Sequence, residues 1–333
     1  MATFFTTPMI VPYYGTAAFA TILGLHGKRS GSLSTSGAIA AAVLGYAALG
    51  NPLAVFGVAM LTMYFAGSRA TKVKAAHKAT LEEYHATEAS NGTIKAGGNR
   101  DAVQVLANGL FGAACAVAWR VLYSGEFADG KEWTGRLWMG VKGERWCAVD
   151  ARWGWSKALI LGAVAFWGAC AGDTFASELG MLSTPPPVLI TTLRTVPRGT
   201  NGGVSPWGLL VSLLGGLLVG TTTALSLAYE NPECAGFSDS RWGLPWWALV
   251  VGVGGWSGLV GSLVDSFLGA TVQQSLYSSS RLKIVHSRAK KDEDDVVANV
   301  PGSGFNLITN NGVNLVSAAG TAAFVVWWAS PGL

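Results

Sequence analysis

Residues 171–180, with the sequence AGDTFASELG, place the carboxylates of Asp173 and Glu178 at the end of an apolar run that covers residues 158–170. A carboxylate at membrane depth is energetically costly, and it therefore usually faces a cavity, a partner or an ion. This stretch predicts a membrane protein that carries out chemistry or transport.

The composition of the 333 residues agrees with a membrane protein. Hydrophobic residues make up 50% of the chain and charged residues only 13%, whereas a soluble domain usually carries about 25% charge. The 44 glycines suit closely packed transmembrane helices, and the 14 tryptophans suit the membrane interface. We therefore predict an all-α polytopic integral membrane protein. The formal net charge of +4 is modest and the basic residues form no single stripe, so no nucleic-acid partner is expected.

Eight apolar segments approach the roughly 20 residues that a helix needs to span a bilayer. They are residues 9–25, 33–49, 52–67, 102–123, 155–172, 207–229, 244–269 and 313–328. We expect about eight transmembrane helices in a single membrane domain, residues 1–333. The connections include a basic loop at 69–100, a tryptophan-rich insert at 124–154 and a charged loop at 271–305.

The distribution of Lys and Arg predicts the orientation of these segments. Of the 23 basic residues, 15 lie in the connections after the first, third, fifth and seventh segments. Cytosolic loops carry an excess of Lys and Arg, so these connections are expected in the cytosol and both termini across the membrane. The tryptophan-rich insert then lies on the non-cytosolic side. We expect localisation to the endoplasmic reticulum membrane, with an active site that faces the cytosol.

The cysteines show no spacing typical of a zinc site. Cys147 and Cys234 both fall on the predicted non-cytosolic side, where an oxidising compartment would allow a disulfide. Cys115 and Cys170 lie within predicted spans and are expected to be packing residues.

Polar residues of the predicted spans concentrate at the cytosolic end. Asp173 and Glu178 end the fifth span, Asp265 ends the seventh, and Gln104 and Asn108 begin the fourth. An active site at one membrane face requires such an arrangement, whereas a transporter site is expected near the midplane with access from both sides.

Asp173 and Asp265 could ligate Mg²⁺, which takes one or two carboxylates together with substrate phosphates. Alternatively, each aspartate caps a helix end. Glu178 lies five positions after Asp173, about 140° around a helix. Both side chains reach one ion only if the backbone turns near Gly172 or Gly180.

The loop at 196–205, with the sequence VPRGTNGGVS, combines an arginine with glycines that can expose consecutive N–H groups to an anion. Such an arrangement can bind phosphate, although an ordinary connection is the alternative. In the seventh span, Gly254 and Gly258 have the spacing of helix packing, with local unwinding as the alternative.

Five motifs together resemble the transmembrane protein 19 family, which includes the phytyl-phosphate kinase of tocopherol synthesis. They are GSLSTSGA at 31–38, QVLANG at 104–109, GDTFASELG at 172–180, PRGTNGGVS at 197–205 and DSFLGATVQ at 265–273. The resemblance extends from about residue 31 to residue 314. It does not include the tryptophan-rich insert or the charged segment at 281–295.

The resemblance implies a membrane kinase that transfers a phosphoryl group from a nucleoside triphosphate, CTP or ATP, to an isoprenyl monophosphate such as a phytyl or geranylgeranyl lipid. It implies Mg²⁺ held by Asp173 and Asp265, with Glu178 as a third Mg²⁺ ligand or bound to a water, and with Arg198 as a further catalytic residue that binds phosphates. The residues assigned to phosphates or to the polar lining are Thr200, Asn201, Gly202, Gly203, Ser205, Arg69, Lys72, Gln104, Asn108 and Gln273.

Two other classes of protein fit the same residues. A transporter or scramblase of a phosphorylated isoprenoid lipid would bind the headgroup with the same acids and Arg198 but without chemistry. A structural membrane protein would use the aspartates only as helix caps, and Arg69 and Lys72 only to satisfy the positive-inside bias.

Overall fold

The computed structural model describes residues 13–74, 78, 99–123, 147–150, 155–238, 243–285 and 297–331. These residues are mostly helical, as predicted. Their main helices are α1 (Tyr14–Arg29), α2 (Thr35–Leu49), α3 (Val55–Ala70), α4 (Ala102–Ala107), α5 (Leu110–Tyr123), α6 (Trp155–Gly180), α7 (Pro206–Glu230), α8 (Trp246–Val272) and α9 (Asn310–Trp328).

Among the described residues, three helices, α6, α7 and α8, are long and apolar enough to cross a membrane, and α2 and α5 are shorter apolar helices. Each of the eight predicted segments overlaps a helix. The fourth segment is divided, because α4 ends at Ala107 and α5 begins at Leu110. The number of eight membrane spans stays a prediction.

Helix α6 lies at the centre of the fold and packs against α3, α5, α7, α8 and α9. Its buried residues include an unbroken run from Ile160 to Gly172. Phe166 and Trp167 are fully buried in the main apolar core together with Trp119 of α5. A helix that is apolar on all sides is stable only when it is surrounded, which explains why this segment occupies the centre.

Glycines bring α6, α7 and α8 into backbone contact. A Cβ at Gly172 of α6 would lie 2.5 Å from the Cα of Gly258 in α8, and a Cβ at Gly258 would lie 2.8 Å from the Cα of Gly216 in α7. A Cβ at Gly254 would lie 2.8 Å from the Cα of Gly220. The packing role of Gly254 and Gly258 is therefore confirmed, and α8 is a continuous helix rather than locally unwound.

Side chains cap the N-termini of helices that start at one end of the bundle. The Oγ of Ser34 accepts from Gly37 N over 3.0 Å at α2, and the Oγ of Ser205 accepts from Gly208 N over 3.1 Å at α7. The Oγ1 of Thr309 accepts from Gly312 N over 3.3 Å at α9. Such caps satisfy N–H groups that have no partner within the helix.

Two small antiparallel sheets lie outside the helices, which corrects the prediction of a purely α-helical protein. Strands β1 (Val188–Leu189) and β2 (Gly203–Val204) pair with each other. Strands β3 (Leu276–Ser278), β4 (Lys283–Val285) and β5 (Val297–Asn299) form a sheet of order β4-β3-β5. The segment predicted as a charged loop at 271–305 therefore contains a sheet.

A second apolar core joins the two sheets to the end of α8. It contains Leu189, Val196, Ala270, Ile284 and Val300. Burial of these side chains accounts for ordered strands in a segment whose net composition indicated a loop.

A disulfide between Cys147 and Cys234 confirms the predicted pairing, with a Cα to Cα distance of 4.7 Å. Asn231 supports it, because its Oδ1 accepts from Ala148 N over 2.9 Å. Cys147 precedes α6 and Cys234 follows α7, so the disulfide lies at the start of α6. Cys115 and Cys170 are buried free thiols, as expected. Apart from residues 147–150, the tryptophan-rich insert lies outside the described residues.

We expect Gly172→Ala to destabilise the protein by about 1–3 kcal/mol, because the new Cβ must enter the backbone of α8. Thermal unfolding of the detergent-solubilised protein measures the effect. Gly252→Ala is the matched control, since no atom lies within 4 Å of the added methyl group. That variant should be neutral or up to about 1 kcal/mol more stable, because alanine favours helix. Equal melting temperatures for the two variants would contradict the packing account.

Candidate functional site

A cavity of about 1020 Å³ lies at the end of the bundle opposite the disulfide. The C-terminal ends of α3, α6 and α8 and the N-terminal ends of α4, α7 and α9 line it. Most of the predicted site residues meet there, namely Gln104, Asn108, Asp173, Glu178, Arg198, Thr200, Asn201, Gly202, Gly203, Ser205, Asp265 and Gln273. Arg69 and Lys72 do not.

Asp173 and Asp265 come together because α6 and α8 run side by side in the same direction. Gly261 of α8 faces Ala169 of α6, where an added Cβ would lie 2.5 Å from the alanine Cβ. One turn further along each helix are Asp265 and Asp173, which line the same cavity and whose carboxyl groups are close enough to interact directly. The close contact of the helices thus sets the distance between the two acids.

Helix α9 holds Asp265 from the other side. Ser317 Oγ donates to Asp265 Oδ2 over 3.1 Å. With its amide nitrogen turned toward the carboxylate, Asn314 donates to the same oxygen over 3.3 Å and to Asn310 O over 2.8 Å. These contacts fix the orientation of Asp265 while Asp173 and the cavity lie on its other side.

The aspartate pair fits a divalent cation. Within the part of the chain that the structure describes, neither carboxylate forms an ion pair with Lys, Arg or His. Two adjacent carboxylates repel each other unless a proton or a cation is shared between them. Among the same residues no third His, Cys, Asp or Glu completes a metal cluster. This donor set suits Mg²⁺, which binds one or two carboxylates and takes other ligands from water and phosphates.

Glu178 does not join the aspartates, which contradicts the prediction that it is a third Mg²⁺ ligand. Its carboxylate forms a buried ion pair with Lys78. The Nζ of Lys78 also donates to Ala70 O over 3.2 Å and to Thr71 O over 3.0 Å. Helix α6 continues to Gly180, so no turn of the backbone brings Glu178 to Asp173. The ion pair instead connects the ends of α3 and α6.

The glycine loop does not form the predicted phosphate nest. The backbone N–H groups of Thr200, Asn201 and Gly203 donate to Pro197 O, Ser275 Oγ and Thr200 O, over 3.3, 2.9 and 2.9 Å. These donors are therefore already satisfied within the protein. Gly202 has a φ of +80°, and a Cβ there would lie 2.6 Å from Ser266 O. Because Gly202 has no side chain, the loop can pack directly on α8.

Arg198 lines the cavity and is anchored by backbone carbonyls. Its Nη1 donates to Met181 O over 3.1 Å and its Nη2 donates to Thr184 O over 2.8 Å. These carbonyls follow the end of α6, so the arginine stabilises that turn. A guanidinium carries five N–H donors, which leaves further donors for a ligand.

Several other predicted residues have structural roles in the fold. Ser205 caps α7, and Asn108 Nδ2 donates to Gln104 O over 2.8 Å at the end of α4. Arg69 and Lys72 are exposed at the end of α3, outside the cavity lining. Their predicted contact with substrate phosphate is therefore not supported, since neither residue lines the cavity that contains the aspartates.

The predicted site omitted Arg100, Asn314 and Ser317. Arg100 lines the cavity, and its backbone is fixed by Ser34 N, which donates to Arg100 O over 3.0 Å. The polar residues of α9 recur at positions 310, 314, 317 and 321, which is the spacing of one helix face. That periodicity was the available signal for Asn314 and Ser317.

Comparison with known proteins gives a family and several relatives. A family model described as integral membrane protein DUF92 matches residues 18–322. Protein PGR of Arabidopsis thaliana is 33% identical over 262 residues, which are 79% of this chain and 77% of that protein. An uncharacterized membrane protein of Methanocaldococcus jannaschii is 35% identical over 127 residues, 38% of this chain and 45% of its own length. No solved structure matches the chain.

We expect Lys78→Met to destabilise the protein by about 3–5 kcal/mol, because the buried Glu178 carboxylate loses its ion pair. Replacement of both residues, Lys78→Met with Glu178→Leu, should recover much of that loss. Lys72→Met is the control, since an exposed lysine of the same segment should change stability by less than about 0.5 kcal/mol. Thermal unfolding in detergent measures all three. A stable Lys78→Met protein would contradict the structural role of the pair.

Proposed function

The chain belongs to the DUF92 family of integral membrane proteins, and we propose that it is a membrane kinase acting on isoprenyl monophosphates. The phosphoryl donor would be a nucleoside triphosphate, CTP or ATP, and the product an isoprenyl diphosphate. The observation that carries the proposal is that Asp173 and Asp265, brought together by the contact between Ala169 and Gly261, both line a large cavity. Paired acids without a cationic partner among the described residues fit a site for metal-bound phosphates.

Mg²⁺ held by Asp173 and Asp265 would neutralise charge on the phosphates during transfer. The chain itself supplies the position of these acids. Ser317 and Asn314 orient the Asp265 carboxylate from α9, and the Ala169–Gly261 contact keeps Asp173 beside it. Because the three helices are rigid elements, the acids are held before substrate binds.

Arg100 and Arg198 are the candidates for binding phosphate oxygens. Among the described residues that line the cavity, they are the only Lys or Arg side chains. A guanidinium binds phosphate through two parallel N–H donors and keeps its charge. Arg198 is already anchored at the end of α6, so less side-chain freedom is lost when it binds a ligand.

In the proposed reaction, an oxygen of the isoprenyl monophosphate forms a bond to the γ-phosphorus of the nucleotide. The bond from that phosphorus to the oxygen bridging to the β-phosphate breaks, and the nucleoside diphosphate leaves. The second pKa of a phosphate monoester is about 6, so the acceptor is largely dianionic near neutral pH. No side chain is then required to remove a proton, and positioning and charge neutralisation provide the catalysis.

Two observations support a cavity that faces the cytosol. Most Lys and Arg residues belong to the connections at the cavity end of the bundle. The disulfide lies at the opposite end, as expected if that end faces an oxidising compartment. The endoplasmic reticulum membrane would satisfy both conditions, and its localisation there is part of the proposal.

Purified protein should convert geranylgeranyl or phytyl monophosphate to the diphosphate when it is given radiolabelled CTP or ATP and Mg²⁺. Asp173→Asn and Asp265→Asn should each lower the rate by at least about a hundredfold, because charge neutralisation at the transferred group is lost. Thin-layer separation of labelled lipids measures the product.

Glu233→Gln is the matched control, since Glu233 is an exposed acid in the turn that contains the disulfide. It should retain full activity. Elution of each variant from a sizing column checks that it folds. If no diphosphate forms with either nucleotide, while Asp173→Asn still abolishes function in cells, the kinase proposal fails and a transporter or scramblase of a phosphorylated isoprenoid lipid is favoured.

A further inference from the structure

The cavity has an apolar part that the phosphate chemistry does not use. This apolar arm lies between the first three helices and is lined by Leu23 of α1, Leu44 and Leu49 of α2, and Met60, Leu61 and Met63 of α3. None of the described lining residues contributed by α1, α2 or α3 is charged. The arm is continuous with the polar part that contains Asp173 and Asp265.

The arm reaches deep into the bundle. Helix α2 begins next to the polar part, where Arg100 pairs with the segment before Thr35. Leu49 lies 14 residues further along α2, which corresponds to about 21 Å at 1.5 Å per residue. On α3, Gly67 packs against Thr174, the neighbour of Asp173, and Met60 lies about 10 Å beyond it.

The connection between α2 and α3 lies beside Leu49 and Met60, the lining residues farthest from the polar part. Leu49 packs against Gly57, where an added Cβ would lie 2.5 Å from Leu49 Cδ2. The connecting residue Asn51 is buried, and its Nδ2 donates to Ala116 O of α5 over 2.8 Å. The connection is therefore fixed to a third helix, and Leu49 and Met60 line the region beside it.

We propose that the apolar arm binds the isoprenyl tail of the substrate and that its far end, at Leu49 and Met60, limits the length of that tail. This inference rests on the proposed function. A cavity that combines adjacent acids with a separate apolar arm matches a lipid with a phosphate at one end. A polar substrate would make no use of the apolar surface of the arm, whereas each tail carbon buried there strengthens binding about fourfold.

Binding of geranyl, farnesyl and geranylgeranyl monophosphates tests the inference, by native mass spectrometry of the detergent-solubilised full chain without nucleotide. In the unmodified protein, affinity should rise at least tenfold from geranyl to geranylgeranyl. Met60→Trp, which fills the arm near its far end, should weaken geranylgeranyl binding at least tenfold and change geranyl binding less than twofold.

Phe65→Trp is the matched control, because Phe65 lies on α3 but is exposed and does not line the cavity. It should bind all three lipids like the unmodified protein. If Met60→Trp weakens the three lipids equally, or if Phe65→Trp has the same effect as Met60→Trp, the arm does not hold the tail.

Met60→Ala is a second variant for the same binding experiment and replaces Met60→Trp if that protein does not fold. It deepens the arm and should raise, at least threefold, the preference for a tail one isoprenyl unit longer than geranylgeranyl. An unchanged preference would overturn the proposal. Binding is measured without nucleotide, so the two proposals can fail separately. If affinity depends on tail length but no diphosphate forms, only the kinase proposal is refuted. If diphosphate forms but affinity does not depend on tail length, only the tail site is refuted.

Discussion

The backbone contact between α6 and α8 is the constraint on which the proposed site depends. Gly172 meets Gly258, and Ala169 meets Gly261, so the two helices approach more closely than larger side chains would permit. Asp173 and Asp265 follow the second contact by one turn on each helix. Their carboxyl groups therefore lie beside each other in the cavity, and a membrane protein with few acids gains a paired-carboxyl site. The same glycines that pack the core determine the position of the chemistry.

The polar end of the bundle combines structural and functional groups in one region. Ser205 caps the N-terminus of α7, and Arg198 binds a backbone carbonyl that follows α6. The Lys78–Glu178 pair connects α3 to α6. These contacts satisfy polar groups close to the membrane, where exposed backbone is costly. They leave the aspartate pair and the arginines facing a cavity that continues into an apolar arm. The polar part of the cavity thus matches the phosphate of a phosphorylated lipid, and the apolar arm matches its tail.

The sequence predicted the features that follow from local pattern. Hydrophobic segments located the helices, and the one-sided distribution of Asp173, Asp265 and Gln104 located the cavity end. Roles that depend on partners distant in sequence could not be predicted. The local sequence around Glu178 is that of a metal ligand, but Lys78, 100 residues away, forms an ion pair with it. The glycine loop resembled a phosphate nest, but Ser275 uses one of its donors. The strands of residues 276–299 depend on a core shared with Leu189 and Val196.

Divalent-cation binding tests the central claim most directly. Mn²⁺ can replace Mg²⁺ as a paramagnetic probe, and its binding to the purified protein in nanodiscs with geranylgeranyl monophosphate can be followed by electron paramagnetic resonance. The account predicts one bound ion per chain, with affinity reduced at least tenfold in both Asp173→Asn and Asp265→Asn and unchanged in Glu233→Gln. Retention of the bound ion with undiminished affinity in both aspartate variants would contradict it.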